Sequence, residues 1–152
     1  MANEAIYKYG TTLTLTTTGA ATSNNQLSTP AGTTYSQTNT LDYPDAVFVL
    51  ITGGFGASPV TAGATIDLYI RPLDIDGATD APAPSTGTGD AYKGVYVGSF
   101  VVKNSIASGD AYRCVGYDIP RAGEAYLFNN NTGQTLSLNW TLKMTPRTIG
   151  PL

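Results

Sequence analysis

The amino-acid sequence predicts an all-β fold: a two-sheet antiparallel sandwich of jelly-roll-like form with about eight to nine strands. No long stretch carries apolar residues at helical spacing, whereas alternation of apolar and polar residues recurs along the chain. Glycine, proline and asparagine cluster between the alternating runs, as they do in turns. No unit of roughly 20 to 50 residues repeats, which excludes a solenoid or a propeller.

The individual strands are predicted where β-branched and aromatic residues alternate with polar ones or form a short apolar run. Such runs lie at 11–18, 46–52, 64–73, 94–103, 111–119, 124–130 and 134–144. Weaker strand signals are AIYKY and GTTYSQT. In the run 134–144, period-two alternation places Leu136, Leu138, Trp140 and Leu142 on one face, and we expect that face to be the core face.

The length of 152 residues predicts one sandwich domain, 1–152, that is long enough to bury a sizeable core. It opens with a short N-terminal segment, about 1–10, and contains a loop-rich segment, about 18–40. Large apolar residues are scarce in the second segment, where Leu27 and Tyr35 stand out. This composition predicts a long loop or an extended arm that becomes ordered against a partner.

The charge of the chain is low, with 12% charged residues and a net charge of −3. The eight lysines and arginines are scattered, so the sequence predicts no nucleic-acid binding. No apolar run approaches the roughly 18 residues that a membrane span requires, so no membrane partner is predicted. The opening MANEAIYKYG lacks the apolar stretch of a signal peptide, and we expect the chain to mature where it is made.

The residues that usually carry catalysis are missing or isolated. The chain has no histidine, which removes the usual general base, the Ser–His–Asp arrangement and most zinc chemistry. The lone Cys114 has no activating histidine, and its strand-like surroundings predict a buried, inert thiol. The glycines at 53–56 are not followed by the GK[ST] of a phosphate-binding loop. We therefore predict no catalytic residue, no cofactor and no enzyme activity.

The run PLDIDGATDAPAPSTGTG, residues 72–89, is the one stretch with the composition of a metal loop. Asp74, Asp76 and Asp80, with Gly77, partly match a calcium loop, and Asp90 lies within reach as a further ligand. The third ligand before the glycine, the closing glutamate and the flanking helices are missing. The sequence therefore favours a stiff surface loop that serves contacts and predicts no metal, with these aspartates as the calcium candidates.

The aromatic residues are biased toward tyrosine, with ten Tyr against four Phe and one Trp. Tyrosine combines an apolar ring with a polar end and is enriched at protein interfaces. Together with the low charge, this bias predicts a protein that assembles with other subunits. The candidate interface residues stand in or beside loops and termini: Ile6, Tyr7, Tyr9, Tyr35, Tyr43 and Tyr92.

Several runs of the sequence resemble the capsid decoration proteins of tailed bacteriophages, which are also called cement or auxiliary head proteins. The resemblance is carried by LDYPDAVFVLITGGF, IDLYIRPLDIDG, VGSFVV and DIPRAGEAYLFNNNTGQTLSLNWTLKMTP, and it spans Leu41 to Pro146. It implies a jelly-roll sandwich, with a homotrimer as the favoured oligomer. It also implies a virion protein that is made in the host bacterial cytoplasm, binds the major capsid protein on the outer capsid surface and stabilises the shell against the pressure of the packaged DNA.

Three alternatives remain open from the sequence. One is a phage tail or head-fibre component that binds a receptor or a carbohydrate. Another is a carbohydrate-active or carbohydrate-binding jelly roll, in which Asp67, Trp140 and a calcium ion at 74–80 would matter. The third is a major capsid protein of single-jelly-roll type, although the chain lacks the basic arm that such proteins use for genome contact.

Overall fold

The computed structural model describes residues 5–32, 34–37, 43–56, 63–86, 92–103 and 107–151. This part of the chain contains nine strands in two antiparallel sheets and no helix, which confirms the predicted all-β sandwich. The strands are β1 (Ala5–Tyr9), β2 (Leu13–Gly19), β3 (Tyr35–Ser36), β4 (Asp45–Ile51), β5 (Thr65–Pro72), β6 (Val95–Val101), β7 (Ala111–Gly116), β8 (Ala122–Asn130) and β9 (Trp140–Pro151).

The strand pairing has the order of a jelly roll. Each strand from β2 to β5 pairs antiparallel with one from β9 back to β6, as β2/β9, β3/β8, β4/β7 and β5/β6. This long hairpin wraps on itself, so that β4 also pairs with β9 and β5 with β8. The result is a five-stranded sheet of β1, β2, β9, β4 and β7 facing a four-stranded sheet in the order β3-β8-β5-β6.

The core lies between the two sheets and is built by the predicted alternation. Phe48 of β4, Ile66 and Leu68 of β5, and Trp140 and Leu142 of β9 are all fully buried there. Full burial of such a side chain contributes about 1.5–3 kcal/mol each to stability. The predicted core position of Trp140 is confirmed, and its indole Nε1 donates a hydrogen bond to the Ala20 carbonyl at 2.7 Å.

The loop-rich segment is packed along the four-stranded sheet and does not project as an arm over its described residues. Ser28 and Ala31 donate backbone hydrogen bonds to the Leu127 and Ala125 carbonyls of β8, both at 2.8 Å. Leu27 is buried in the same stretch. The segment therefore covers the edge of β8, which would otherwise expose unpaired backbone groups. Position 33 and positions 38–40 lie outside the described residues.

Tyr35 belongs to the core, so its prediction as an interface residue is wrong. Only 3% of the residue is exposed, and its hydroxyl donates to the Pro120 carbonyl at 2.9 Å. Tyr35 pairs with Gly123 in β8, and that pairing turns its ring toward the inside of the sandwich.

The last strand begins and ends later than the sequence predicts. Leu136 is buried as expected, but Leu138 is exposed, and Asn139 has a positive φ of 65° that breaks the alternation. At the other end, β9 runs through Pro146, a residue type that normally stays at sheet edges. The Pro146 carbonyl accepts from Gly10 between β1 and β2, so the proline nitrogen faces a gap in the ladder where no donor is needed.

The end of β9 forms a two-stranded extension with β1. Pairing of β4 with β9 ends at Asp45 opposite Arg147, whereas β1 pairs with Arg147 through Pro151. In the described part of the chain, β9 beyond Arg147 is therefore paired on the β1 side only. We call Ala5–Tyr9 together with Arg147–Pro151 the β1–β9 ribbon.

Gly19 at the end of β2 packs directly against the Trp140 ring, and the contact leaves no room for a side chain. A Cβ atom there would lie 2.0 Å from the Trp140 ring. We expect Gly19→Ala to lower the free energy of unfolding by about 1–3 kcal/mol, because overpacking of this kind forces backbone shifts. Urea unfolding followed by circular dichroism measures the change.

The matched control is Gly150→Ala, where the added Cβ would meet the flexible Lys8 side chain at 3.4 Å. This control is expected to keep its unfolding midpoint. Equal midpoints for the two variants would contradict close packing of Trp140 on Gly19.

Candidate interaction surface

One face of the β1–β9 ribbon gathers exposed aromatic and aliphatic side chains around an arginine. The pairing of Tyr7 with Ile149 and of Tyr9 with Arg147 places these four residues on the same face. Tyr7 and Tyr9 are about half exposed, and Ile149 is exposed to a similar extent. Tyr117, which follows β7, reaches the same face. We call Tyr7, Tyr9, Tyr117, Arg147 and Ile149 the ribbon face.

Arg147 lies at the centre of the ribbon face and is covered by two tyrosine rings. Only 5% of the residue is exposed. Its Cζ atom lies 4.4 Å from the ring centroid of Tyr7 and 5.3 Å from that of Tyr117, within the range of cation–π attraction. Both rings are themselves exposed, so the guanidinium lies one ring thickness below the surface.

The hydrogen-bonding capacity of Arg147 is incompletely used. Its Nε and Nη2 are buried and have no hydrogen-bond partner among the described residues. The nearest carboxylate is that of Asp45, whose Oδ2 lies 4.0 Å from Nη2, the outer limit for an ion pair. Asp45 is held by another bond, because its Oδ1 accepts from the Asp118 backbone N–H at 3.2 Å.

The pKa of the Arg147 guanidinium is raised in spite of this burial. Burial by itself lowers the pKa of the guanidinium. A hydrogen bond to Tyr117 and the neighbouring Tyr7 and Asp45 outweigh that effect, so the net shift of the pKa is upward.

A hollow of about 510 Å³ lies at the base of the ribbon, and Tyr43 is one of its lining residues. Its described lining contains no carboxylate, no thiol and no basic side chain, so it offers no acid–base pair for catalysis. The lining residues are Tyr9, Gly10, Thr11, Leu13, Ser36, Gln37, Tyr43 and Pro146.

The predicted interface residues other than the buried Tyr35 divide into a group at the ribbon and Tyr92 in the other sheet. Ile6, Tyr7 and Tyr9 lie together on the ribbon, with Ile6 on the face opposite to the two tyrosines. Tyr43 joins Tyr9 at the hollow. Tyr92 is exposed but lies just before β6, in the other sheet.

The carbohydrate alternative involves Asp67, and both of its carboxylate oxygens accept hydrogen bonds within the chain. It is buried on the outer face of the four-stranded sheet, where Oδ1 accepts from Ser99 Oγ at 2.6 Å and Oδ2 from Asn130 Nδ2 at 2.9 Å. Trp140 is fully buried in the other sheet and exposes no ring to a sugar. Asp67 and Trp140 therefore belong to different sheets, with Asp67 on an outer face and Trp140 in the core.

The exposed ring on this outer face belongs to Tyr96. It packs edge-to-face against Tyr69, with ring centroids 5.6 Å apart, and its hydroxyl is 2.8 Å from Ser99 Oγ. This tyrosine pair beside a polar network is the feature that a carbohydrate ligand would use.

The aspartates of the calcium candidates make hydrogen bonds within their own loop. Asp76 Oδ1 accepts from the N–H groups of Ala78 and Thr79 at 3.0 and 2.6 Å, and Oδ2 accepts from the Thr79 hydroxyl at 2.8 Å. These bonds, that of the Thr79 side chain first, lower the pKa of Asp76. Asp80 Oδ1 accepts from the Asp74 N–H at 3.2 Å. The carboxylates serve an Asx-type turn and do not converge on one point.

Arg71 ties this loop to the four-stranded sheet. Its Nε donates to the Ala81 carbonyl at 2.7 Å, Nη1 donates to Glu124 at 3.2 Å, and Nη2 lies 3.7 Å from Asp80. In the described part of the chain, no group of three or more Cys, Asp and Glu side chains is placed to hold a metal. Asp90 and positions 87–89 lie outside the described residues.

The sequence did not identify Arg147, Tyr117 or Ile149 as site residues. Pro146 made 144 the predicted end of the last strand, because proline usually interrupts a strand. The period-two series nevertheless continues beyond it, as Lys143, Thr145, Arg147 and Ile149. That series is the signal that extends β9. Whether Nε and Nη2 of Arg147 find hydrogen-bond partners depends on distances between β1, β4, β7 and β9, and no local pattern reports those distances.

No family model, no curated protein and no solved structure matches the chain. Among the described residues there is no helix with the length and apolarity that a membrane crossing requires.

The intraloop bonds of the aspartates lead to a test with calcium. We expect neither added calcium nor a chelator to shift the thermal unfolding midpoint, because a ligand stabilises a fold only when it binds the native state. Differential scanning calorimetry measures the midpoint. A rise with calcium that Asp74→Asn abolishes would show a site that the loop geometry does not predict.

Cys114 provides a second test, on the inner side of β7. Burial raises the pKa of its thiol to about 12, and the charge of Arg113 acts in the opposite direction. We expect a thiol reagent at pH 8 to react with the folded chain at least about a hundredfold more slowly than with the chain in urea, because the thiolate is the reactive form. Equal rates in the two states would contradict the burial.

The raised pKa of Cys114 makes the free energy of unfolding depend on pH. The pKa of Cys114 is higher in the folded chain than in the unfolded chain, where it is about 8.5. Its contribution is fully present below that value and is lost as the pH rises toward 12. Urea midpoints should therefore fall across this window, and burial of Tyr35 acts in the same direction by raising its pKa.

Proposed function

We propose that the chain is a structural virion protein that decorates the outer surface of a tailed-phage capsid and stabilises the shell by binding the major capsid protein. In this proposal the chain is made in the host bacterial cytoplasm and acts as a homo-oligomer, with a trimer favoured. It is not an enzyme. The resemblance of residues 41–146 to decoration proteins suggests this function, and the surface of the structure supports it.

The observation that carries the proposal is the β1–β9 ribbon. It extends past β4 and exposes Tyr7, Tyr9 and Ile149 on one face around the buried Arg147, and Ile6 on the opposite face. Clustered apolar and aromatic side chains that rim a buried cation are typical of protein interfaces, where tyrosine and arginine are enriched. An assembling subunit needs such a surface, whereas an isolated chain gains nothing from exposing it.

The remaining surface is consistent with a subunit in a crowded shell. A net charge of −3 and 12% charged residues leave few charges to be stripped of water when large faces come together. The described lining of the hollow at the base of the ribbon contains no carboxylate, thiol or basic side chain. These features support a contact role over a catalytic one.

A second candidate function is a tail or head-fibre component that binds a carbohydrate. The feature that favours it is the Tyr69–Tyr96 ring pair beside Ser99, Asp67 and Asn130. Exposed rings pack on sugar faces, and the adjoining hydroxyl and amide groups can bond sugar hydroxyls.

The decoration proposal is tested by co-sedimentation of the purified chain with phage capsids that lack it. We expect saturable binding at a fixed ratio to the major capsid protein. The double substitution Tyr7→Ser and Tyr9→Ser should weaken binding by about tenfold or more, because truncating central interface tyrosines typically costs more than about 1 kcal/mol each.

The matched control is Tyr69→Ser with Tyr96→Ser, which removes two tyrosines from the other sheet. This control should bind capsids like the wild type. No binding of the wild type would overturn the decoration function. Binding to a glycan array that the control variant loses would move the assignment to the carbohydrate-binding fibre.

A further inference from the structure

Arg147 presents buried hydrogen-bond donors that the described residues of the chain leave unused. Nε and Nη2 lie on the same side of the guanidinium, and neither has a partner among the described residues. Buried polar groups in native proteins are almost always paired, and an unpaired charged group is the least favourable exception. The side chain is nevertheless held in place by the Tyr7 and Tyr117 rings. A positioned, covered and unsatisfied arginine is a site prepared for an acceptor that comes from outside the chain.

The chemistry of the site specifies a carboxylate. The Nε and Nη2 donors form a planar fork that matches the two oxygens of a carboxylate. Asp45 does not fill this role, since its bond to the Asp118 N–H leaves its Oδ2 4.0 Å from Nη2. The flanking rings of Tyr7 and Tyr117 would form the walls around an incoming acidic side chain and keep water from the ion pair.

The backbone next to the site is open. β1 pairs with β9 along one side, and in the described part of the chain no strand pairs with its other side. The register of β1 has no bulge, the strand has no proline, and Lys8 is its only charged residue. Lys8 is the one feature of the strand that opposes edge pairing, and an edge without a bulge or a proline accepts an added strand from another polypeptide.

We propose that the β1–β9 ribbon receives an extended, carboxylate-bearing segment of the major capsid protein. The segment adds to the open edge of β1, and its acidic side chain inserts between Tyr7 and Tyr117 to bind Nε and Nη2 of Arg147. This inference rests on the proposed function and names the contact through which that function is exercised.

A second copy of the chain fits the same edge less well. Two-fold pairing of β1 with β1 would bring together two copies of Lys8, and it would supply no carboxylate from either ribbon. Charge complementarity therefore favours a different polypeptide with an acidic residue over self-pairing.

The test is co-sedimentation of variants with capsids that lack the protein, at low and high salt. Arg147→Gln should weaken binding by about tenfold or more at low salt, because a hydrogen-bonded charge is lost. Arg147→Lys keeps the charge but loses the fork, so its affinity should fall in between. Salt should weaken the wild type more than Arg147→Gln. The matched control is Arg113→Gln, an exposed arginine on β7 of the same sheet, which should bind like the wild type.

The outcomes separate this inference from the decoration function. Saturable wild-type binding that Arg147→Gln retains in full would overturn the arginine site and leave the decoration function standing. Failure of the wild type to bind would overturn both. A change of oligomeric state in Arg147→Gln, seen by light scattering while capsid affinity is kept, would assign the ribbon to a second copy and overturn the inference. Circular dichroism checks the fold, and Arg147→Lys carries the comparison if the glutamine variant does not fold.

Discussion

The pairing of β9 with strands on both of its sides is the interaction on which the five-stranded sheet depends. β9 has twelve residues, and it pairs with β1 and β2 on one side and with β4 on the other. Its inner side chains Trp140, Leu142 and Met144 are fully buried, so the same residues join the sheet and fill the core. Because β1, β2 and β9 come from opposite ends of the chain, the sheet forms only when distant segments meet. Topologies of this kind fold slowly for their size.

The position of β9 also explains how the interaction surface arises. Beyond the end of β4, β9 and β1 continue as a pair. In the described part of the chain, no other strand pairs with the ribbon beyond Arg147. The ribbon face lies on the outer side of the sheet, because Arg147 and Ile149 continue the outward-facing series of β9 and alternate with the core-facing Trp140, Leu142 and Met144. Its apolar and aromatic side chains are therefore exposed on the outside of the sandwich.

The sequence predicts the central strands well because local signals decide them. The run at 46–52 and the alternation at 64–73 become β4 and β5, and nothing distant has to be known to place them. The errors lie where tertiary contacts overrule the local pattern. Leu138 follows the predicted alternation and is nevertheless exposed, and Pro146 is accepted in a strand because its nitrogen meets a gap between β1 and β2.

The candidate site shows the same division. Tyr7 and Tyr9 can be selected as interface candidates from composition and position, since tyrosine is enriched at protein interfaces. Tyr35 has the same composition signal, yet its pairing with β8 buries it. Arg147 gains its character from three separate strands and the loop after β7, so its role appears only once they are assembled.

The contact between Trp140 and Gly19 gives the molecule a built-in optical reporter. Trp140 is the only tryptophan, and its indole lies directly on the backbone of β2 while its Nε1 is bonded to Ala20. Separation of the N-terminal strands from β9 would open that ring to water and shift its fluorescence emission to longer wavelength. The intrinsic emission of the unmodified chain therefore reports on one event: whether its first and last strands are joined.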